Sequence, residues 1–222
     1  MVAYDQRFVQ EVMGIENESE VLTSRNNEEI MMRYSLKVRL KKRKGGKEVA
    51  IIMMNPSAAD ENDSDRSVNK VLEHIYKKQN DFEYVTILNI IPFYSTENKK
   101  IKEKIDKIIS HKNAARLNAI NESNNKEIEE TVKRSQKVIL AWGKPSKFPL
   151  FYYYNQLSNI ISYLEKHPDV NVFKLRSYRL NEDETNKKPY CLTSSGDPGH
   201  PSYAEMLGIR KISIDKYFGV KL

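Results

Sequence analysis

Four short runs of the chain are almost entirely apolar, which is the pattern of strands buried on both faces of a sheet. They cover residues 48–55, 82–91, 137–142 and 170–175. An earlier run, 31–40, alternates apolar and polar residues, and the basic, glycine-containing segment 41–47 joins it to the first apolar run. We therefore predict a β-hairpin over about residues 31–55 that leads into the core.

Helical periodicity fills the spaces between these strands. Ser64 or Asp65 is placed to cap a helix that runs to about residue 79. Segment 97–135 has apolar residues at three- and four-residue spacing, with a predicted break at the Asn- and Lys-rich piece 121–126. Segment 150–165 predicts an aromatic-rich helix, whose apolar side chains we place in the core rather than in a base-stacking platform.

The alternation of strands and helices favours right-handed βαβ units and a parallel sheet. At 222 residues the chain is long enough for one such domain and too short for two. We predict an α/β fold of three layers: a central, mostly parallel four-stranded sheet, joined by the hairpin strand and flanked by helices. This single domain is expected to cover residues 1–222.

The composition narrows the class of partner. The chain carries 37 Lys and Arg against 30 Asp and Glu, a formal net charge of +7, which favours a polyanion such as nucleic acid; a lysine-rich soluble surface explains it equally well. The single cysteine, Cys191, excludes an internal disulfide and any four-cysteine or cysteine-based metal site, and suits the cytoplasm. Residues 1–10 lack an apolar run and no segment has the length of a membrane span, so we expect a cytoplasmic protein without a signal peptide or membrane partner.

Polar residues stand at the ends of the predicted buried strands. Asn55 ends the first apolar run, Asn89 lies near the end of the second, and Gly143 closes the third, while His200 lies in a Gly/Pro-rich turn. In parallel sheets the working residues sit just past the carboxyl ends of the strands. Taken singly, either Asn also fits a turn or a helix cap, and the His also fits a structural role.

Four short segments occur in this order along the chain: Met53-Met54-Asn55-Pro56-Ser57, Ile87-Leu88-Asn89, Leu140-Ala141-Trp142-Gly143-Lys144 and His200-Pro201-Ser202. In that order they resemble the motifs of the uracil-DNA glycosylase superfamily, and the first is most similar to the Asn-Pro versions of its mismatch-specific and single-strand-selective branches. Three further patterns are Arg33-Tyr34-x-Leu36, Met54-Asn55-Pro56-Ser57-x-Ala59-Asp60 and Gly196-x-Pro198-x-His200-Pro201. These resemble a bacterial and phage family of unknown function over about residues 31–207.

The resemblance implies a uracil-DNA glycosylase-like fold and a monofunctional DNA glycosylase that needs no cofactor and no metal. Such an enzyme flips uracil, or a related modified base, out of DNA and hydrolyses its N-glycosidic bond, leaving an abasic site. Cleavage produces a cationic sugar and an anionic base. As catalytic residues, Asn55 would position the attacking water and His200 would donate to uracil O2, while Asn89 would read N3–H and O4. Further contacts to the base would come from Met54, Pro56, Ser57, Pro201, Ser202 and Tyr203.

Some positions depart from the superfamily's pattern. Ser57 is small where the uracil-specific branch has a Tyr that blocks the thymine methyl group, so the rejection of thymine is open. Asn55 is a neutral amide that neither takes a proton nor offsets the charge of the sugar, which predicts slow turnover. Candidates for the aromatic residue that stacks on the base are Phe93, Tyr94 and Tyr4, and the nearest bulky residue to the intercalating position is Tyr203.

The expected partner is uracil-containing DNA, single- or double-stranded, bound by a monomer. Candidate phosphate contacts are Lys41, Lys42, Arg43, Lys44 and Lys144, although a solvated turn explains the first four equally well. The acidic residues Asp60, Glu61, Asp63 and Asp65 match no metal-binding spacing and predict a solvated loop and helix cap. Two alternatives stay open: an enzyme of the same fold acting on another modified base or a free nucleotide, and a non-catalytic DNA-binding homologue.

Overall fold

Ten strands and four helices form the part of the chain that the structure, a computed structural model, describes. The described residues are 2–23, 28–57, 59–97, 99–145, 149–176, 189–190, 197–202 and 205–214. The strands are β1 (Val2–Ala3), β2 (Val9–Thr23), β3 (Glu28–Leu40), β4 (Glu48–Met53), β5 (Asp63–Ser64), β6 (Tyr84–Asn89), β7 (Lys137–Leu140), β8 (Val170–Arg176), β9 (Pro189–Tyr190) and β10 (Glu205–Lys211). The helices are α1 (Arg66–Lys78), α2 (Lys99–Lys112), α3 (Ala114–Arg134) and α4 (Leu150–Leu164).

The main sheet has the strand order β10-β8-β7-β4-β6-β3-β2, and β9 also pairs with β8. Its central strands β8, β7, β4 and β6 run parallel, while β10, β9, β3 and β2 pair antiparallel with their neighbours. The α/β class is therefore confirmed. The prediction of a mostly parallel four-stranded sheet is wrong, because four of the seven pairings described within the main sheet are antiparallel. The outer strands β2 and β10 lack a continuous apolar run, so the pattern that reveals buried strands passes over them.

Strand β6 lies between β3 and β4, so the predicted hairpin over residues 31–55 is wrong. β3 pairs antiparallel with β6, with Ser35 opposite Leu88, and β4 pairs parallel with the other side of β6. The seven residues 41–47 are long enough to cross one intervening strand, a span of about 10 Å. The antiparallel neighbour of β3 is instead β2, which begins with Val9 opposite Leu40.

Consecutive residues of the buried strands point to opposite faces of the sheet, and helices cover both faces. Ile51 and Ile139 pack with α1 on one face. Ile52 and Leu140 pack with α2, α3 and α4 on the other. Burial of both faces explains why these strands are continuously apolar in the sequence, and it gives the helix–sheet–helix layering.

Helix α1 begins and ends close to the predicted positions. Asp65 is its N-cap, and Oδ1 of Asp65 accepts the backbone N–H groups of Ser67 at 2.7 Å and Val68 at 2.8 Å. Gln79 follows the last helical residue. The prediction that Ser64 or Asp65 caps this helix is thus confirmed for Asp65.

The break predicted at residues 121–126 is wrong, because α3 runs through them. The chain breaks at Asn113 instead, between α2 and α3, where φ is 96°. Asn124 is accommodated inside α3 because its Nδ2 donates to the backbone carbonyls of Asn89 at 3.1 Å and Ile90 at 3.3 Å. A polar residue that lowers helix propensity is thereby used to fasten α3 to the end of β6.

Helix α4 buries only part of its apolar surface. Tyr153, Leu157 and Ile160 are buried, as predicted, whereas Phe151 is 90% exposed and Tyr154 is 56% exposed. None of the helices in the described part of the chain has the length and apolar character that crossing a bilayer requires.

A buried carboxylate links three strands at the start of β4. Glu48 is 5% exposed, and its side chain receives hydrogen bonds from Lys37 of β3 at 2.7 Å and Thr86 of β6 at 2.6 Å. Arg134, the last residue of α3, approaches the same carboxylate at 3.3 Å. Because β6 lies between β3 and β4, the side chain of Lys37 crosses β6 to reach Glu48.

Replacing Glu48 with Ala should lower the free energy of unfolding by about 2–3 kcal/mol, since Lys37 and Thr86 lose their acceptor. Burial alone would raise the pKa of Glu48, but the hydrogen bonds from Lys37 and Thr86 and the charge of Arg134 hold that pKa below its usual range. A lowered folded-state pKa gives stability that is present at neutral pH and lost as the pH falls through that pKa. Urea unfolding should therefore separate wild type from variant clearly at about pH 7 and much less at about pH 3.

Glu73→Ala is the matched control, because Glu73 makes an exposed pair with Lys77 four residues along α1. This change should cost about 0.5 kcal/mol or less. Equal losses for the two variants would contradict a structural role for the Glu48 cluster.

Candidate functional site

Three of the motifs lie at one edge of the sheet. β4, β6 and β7 are parallel and end nearly level, with Met53 opposite Asn89 and Ile52 opposite Leu140. We call this the carboxyl edge, and the edge where β4 begins at Glu48 the amino edge. Asn55 follows β4 by two residues, Asn89 is the last residue of β6, and Gly143 follows β7, so the predicted convergence is observed for these three positions.

Hydrogen bonds join the loop after β4 to the segment after β6. Backbone hydrogen bonds run from Ile90 N to Met53 O, from Ile91 N to Met54 O and from Ser95 N to Pro56 O, each at 2.9 Å. Nδ2 of Asn55 donates to the carbonyls of Ser95 at 2.7 Å and Pro56 at 3.0 Å. Because both contacts use the amide nitrogen, they fix the orientation of the carboxamide and leave Oδ1 of Asn55 as an acceptor.

Helix α1 fastens two distant loops at its first turns. The hydroxyl of Ser57 donates to Oδ2 of Asp65, the N-cap. In the same first turn the hydroxyls of Ser67 and Ser202 are hydrogen-bonded, and in the next turn Nζ of Lys70 donates to the carbonyl of Pro201 at 3.1 Å. The Asn55 loop and the His200 loop are therefore anchored on the same helix end.

His200 packs against the end of β7. Gly143 has a φ of 74°, and a Cβ at that position would lie 2.7 Å from Cβ of His200. Only a glycine permits both the positive φ and this approach. The structure thus brings His200 to the carboxyl edge, on the side of the sheet that α1 covers.

The imidazole of His200 is held neutral. Burial lowers its pKa to about 4; the nearby charge of Asp65 opposes this effect and that of Lys70 adds to it. Nδ1 of His200 accepts the backbone N–H of Ser202 at 3.1 Å. A neutral ring that accepts at Nδ1 carries its proton on Nε2, so His200 presents an Nε2–H donor.

Asn89 is a completely buried carboxamide whose side-chain atoms are unpaired. Its exposure is 0%, and neither Oδ1 nor Nδ2 has a hydrogen-bond partner among the residues that the structure describes. Alternation along β6 puts its side chain on the same face as Ile87, which packs with α1. A buried polar group without a partner costs about 1–3 kcal/mol, so this amide is set up to bind a ligand or ordered water.

The other predicted base contacts divide into two groups. Pro56, Ser57, Pro201 and Ser202 lie in the two loops anchored on α1, and Tyr203 lies outside the described residues. The prediction for Met54 is corrected, because its side chain is in the core with α2, α3 and α4, on the face away from α1.

The three candidates for the aromatic residue that stacks on the base lie in two different parts of the structure. Phe93 is buried in the core with α2, α3 and α4, so that prediction is wrong. Tyr94 and Tyr4 lie near the Asp60 segment: the hydroxyl of Tyr4 donates to the carbonyl of Asp60 at 2.6 Å, and the ring centroid of Tyr94 is 5.7 Å from Cζ of Arg33. Both remain candidates.

The predicted phosphate contacts lie on opposite edges. Lys41, Lys42, Arg43 and Lys44 follow β3 at the amino edge, far from Asn55. Arg43 is engaged within the fold, since NH2 of Arg43 donates to the Tyr76 carbonyl at 2.6 Å and to Oδ1 of Asn80 at 2.9 Å. Lys144, by contrast, is exposed at the carboxyl edge directly after Gly143.

Two residues near the site, Asp65 and Arg33, make contacts that their sequence patterns do not predict. Asp65 was predicted only as a helix cap, although its second oxygen binds the motif residue Ser57. Arg33 is 1% exposed, and one of its terminal nitrogens donates to the carbonyl of Ala59 at 2.6 Å. Burial lowers the pKa of Arg33, and Tyr94, Asp65 and Tyr4 oppose this effect. In the sequence, Arg33 is one of the polar positions of the alternating run 31–40 and the first residue of the pattern Arg33-Tyr34-x-Leu36, and neither indicates its burial.

In the acidic segment 60–65, the carboxylate of Asp60 accepts hydrogen bonds from backbone N–H groups of its own loop. Oδ1 of Asp60 accepts the N–H groups of Asn62 and Asp63, each at 2.8 Å, which closes the loop before α1. Among residues with described placement, no group of three or more His, Cys, Asp or Glu side chains could hold a metal ion.

Comparison with known proteins gives one result. No curated protein and no solved structure matches the chain. One family profile matches residues 33–202, a span that includes Arg33, Asn55, Asp65, Asn89 and His200. The chain belongs to that family, which is described as "Protein of unknown function (DUF1643)".

Proposed function

We propose that this protein is a monofunctional DNA glycosylase that hydrolyses the N-glycosidic bond of uracil, or a closely related base, in DNA. The observation that carries the proposal is the unpaired, buried carboxamide of Asn89. An amide presents one acceptor and one donor side by side, which complements N3–H and O4 of uracil. Asn55 and neutral His200 lie at the same edge of the sheet.

Asn55 and His200 have complementary roles in this reaction. Oδ1 of Asn55 accepts a hydrogen bond from the attacking water, because its Nδ2 is already committed to Ser95 and Pro56. Nε2–H of His200 donates to O2 of the departing base, where negative charge develops. Partial burial strengthens this donor, since fewer water molecules compete with it.

The discrimination against thymine must come from groups other than residue 57. The hydroxyl of Ser57 is held by Asp65, and the side chain is too small to exclude a 5-methyl group. Bases with small 5-substituents therefore belong among the proposed substrates.

We place the DNA strand over the amino end of α4. Lys144 is exposed there, and Leu150, Phe151 and Tyr154 expose 51%, 90% and 56% of their surface. A cation beside exposed apolar and aromatic side chains suits a strand whose phosphates and bases are both contacted. The basic turn at the amino edge is outside this path.

A second candidate is an enzyme of the same fold that acts on a free nucleotide. It is favoured by the position of four of the five predicted phosphate contacts at the amino edge, away from the site. One experiment tests both candidates: single-turnover reactions with oligonucleotides that carry one modified base each, beside free deoxyuridine monophosphate. Alkali cleavage at the abasic site reports the first activity and release of free base the second. Tight DNA binding without any product would support a non-catalytic homologue.

Asn89→Asp should lower the ratio of uracil to cytosine cleavage by about 10- to 100-fold. A carboxylate cannot donate to O4 of uracil, whereas it can accept from the amino group of cytosine, and each mismatched buried polar contact costs about 1–3 kcal/mol. The two rates are measured under single-turnover conditions at about pH 8, where an ordinary carboxyl group is ionised.

Asn89→Leu is the control for folding. It removes an unpaired buried amide, so the melting temperature should stay level or rise while uracil cleavage is abolished. An unchanged uracil-to-cytosine ratio in Asn89→Asp, together with an active Asn89→Leu protein, would remove Asn89 from the proposed pocket.

Asn55→Ala and His200→Ala should each lower the single-turnover rate by about 100- to 1,000-fold and leave DNA binding near the wild-type value. Each change removes an interaction that is made mainly in the transition state. The double variant should be much less impaired than the product of the two losses, because the two residues serve one step. His111→Ala, an exposed histidine at the end of α2, is the matched control. Cleavage near the wild-type rate by a folded His200→Ala protein would refute the mechanism.

Single-turnover cleavage should be level from about pH 8 to about pH 5.5 and decline only toward the pKa of His200, about 4. Protonation at Nδ1 would break the hydrogen bond from Ser202 N–H and reorganise the loop. The rate profile and an NMR titration of the His200 ring provide the measurement. A decline centred near pH 6.5, the ordinary value for histidine, would contradict a buried neutral imidazole.

A further inference from the structure

The proposed reaction lacks a base at the residue that positions water. Hydrolysis requires the attacking water to lose a proton while the sugar becomes cationic. Asn55 is a neutral amide, so it can neither accept that proton nor offset the positive charge of the sugar. A carboxylate elsewhere in the site would supply both the proton acceptor and the negative charge.

Asp65 is the carboxylate that the fold brings to this position. Its Oδ1 is committed to the backbone N–H groups of Ser67 and Val68. Its Oδ2 faces the motif loop and accepts the hydroxyl of Ser57, two residues after Asn55. A hydroxyl both donates and accepts, so Ser57 can take a hydrogen bond from water while it donates to Asp65.

Asp65 lies beside the His200 loop, since the hydroxyl of Ser67, whose backbone N–H Asp65 accepts, is hydrogen-bonded to Ser202. Its charge raises the pKa of His200 against the effect of burial, so the two groups are electrostatically close. The charge of Asp65 also acts on the buried guanidinium of Arg33 and on the phenol of Tyr4, so both groups lie within electrostatic range of it. The amide of Asn89, whose side-chain atoms lack partners among the described residues, lies at the same edge and would gain partners from a bound ligand.

We propose that Asp65 is the terminal proton acceptor of the hydrolysis and acts through the hydroxyl of Ser57. The inference rests on the proposed glycosylase function. As the bond between base and C1′ breaks, its electron pair leaves with the base, which His200 stabilises. The water oxygen bonds to C1′, its proton passes to Oγ of Ser57, and the hydroxyl proton of Ser57 passes to Oδ2 of Asp65. Asp65 then returns the proton through solvent to the departed base anion, so charge and atoms balance.

Asp65→Asn separates the proposed role from helix capping. Asn caps helices about as well as Asp, so the melting temperature should stay within about 2 °C of wild type. Loss of the acceptor should lower the single-turnover rate on uracil-containing DNA by about 100-fold or more. Hydroxide would then replace the missing base, so the residual rate should rise about tenfold per pH unit from about pH 6.5 to 8.5, where the wild-type rate is level.

Ser57→Ala and Glu61→Gln complete the experiment. Ser57→Ala removes the relay and should show the same rise with pH as Asp65→Asn. Glu61→Gln removes a charge from the same acidic segment at an exposed side chain, and should keep the wild-type rate within about twofold.

Each outcome decides between readings. An active wild type with a slow, pH-dependent Asp65→Asn protein supports the proposal. An active wild type with Asp65→Asn within about threefold of it, or with a pH profile parallel to it, overturns the proposal and leaves the glycosylase function standing. A wild type that is inactive on every modified base and on free deoxyuridine monophosphate overturns both.

Discussion

The carboxylate of Asp65 is the contact on which the geometry of the carboxyl edge depends. It satisfies two backbone N–H groups at the start of α1, which would otherwise lack partners, and it also binds the hydroxyl of Ser57. The first turn of α1 also holds the other loop, through the Ser67–Ser202 hydroxyl pair. Two loops whose key residues, Asn55 and His200, are 145 positions apart in the sequence thus share one helix end. Loss of that cap would release Ser57 and leave two N–H groups without partners at the helix end to which the other loop is bound.

Within the described part of the chain, the amide of Asn89 lacks a partner at both of its polar atoms, whereas the polar side chains beside it have at least one partner each. Thr86, three residues earlier on β6, donates to Glu48, and Asn124 of α3 donates to the backbone carbonyl of Asn89 itself. The fold therefore supplies a partner to each of these two neighbouring polar side chains. A carboxamide left unpaired in the same strand carries a free-energy cost that folding alone does not recover. Binding a planar, hydrogen-bonding ligand would recover it, which ties the strain in the fold to the proposed recognition of a base.

The ends of the parallel strands were predictable from the sequence, and the pairing of the strands was not. Continuous apolar runs locate β4, β6 and β7 because both faces of these strands are buried, and so they also locate Asn55 and Asn89. The order of strands depends on long-range packing: segment 41–47 fits a hairpin as well as a crossing over β6. Alternation shows that Met54 and Met53 face opposite sides, but not which side holds the site. The contact between Asp65 and Ser57 could not be predicted either. A sequence indicates that an Asp caps a helix, but not whether its second carboxylate oxygen binds another residue.

The neutrality of His200 matters as much as its position in the proposed reaction. An imidazolium would be a stronger donor to the departing base, but it would also pair with Asp65 and cancel the negative charge that the cationic sugar requires. Burial and the charge of Lys70 keep the ring neutral, so His200 does not offset the negative charge of Asp65. Arg33 lies within electrostatic range of the partly exposed Asp65 and offsets part of its charge. The site can then separate charge as bond cleavage does: a neutral donor for the leaving anion, and a carboxylate for the cation and its proton.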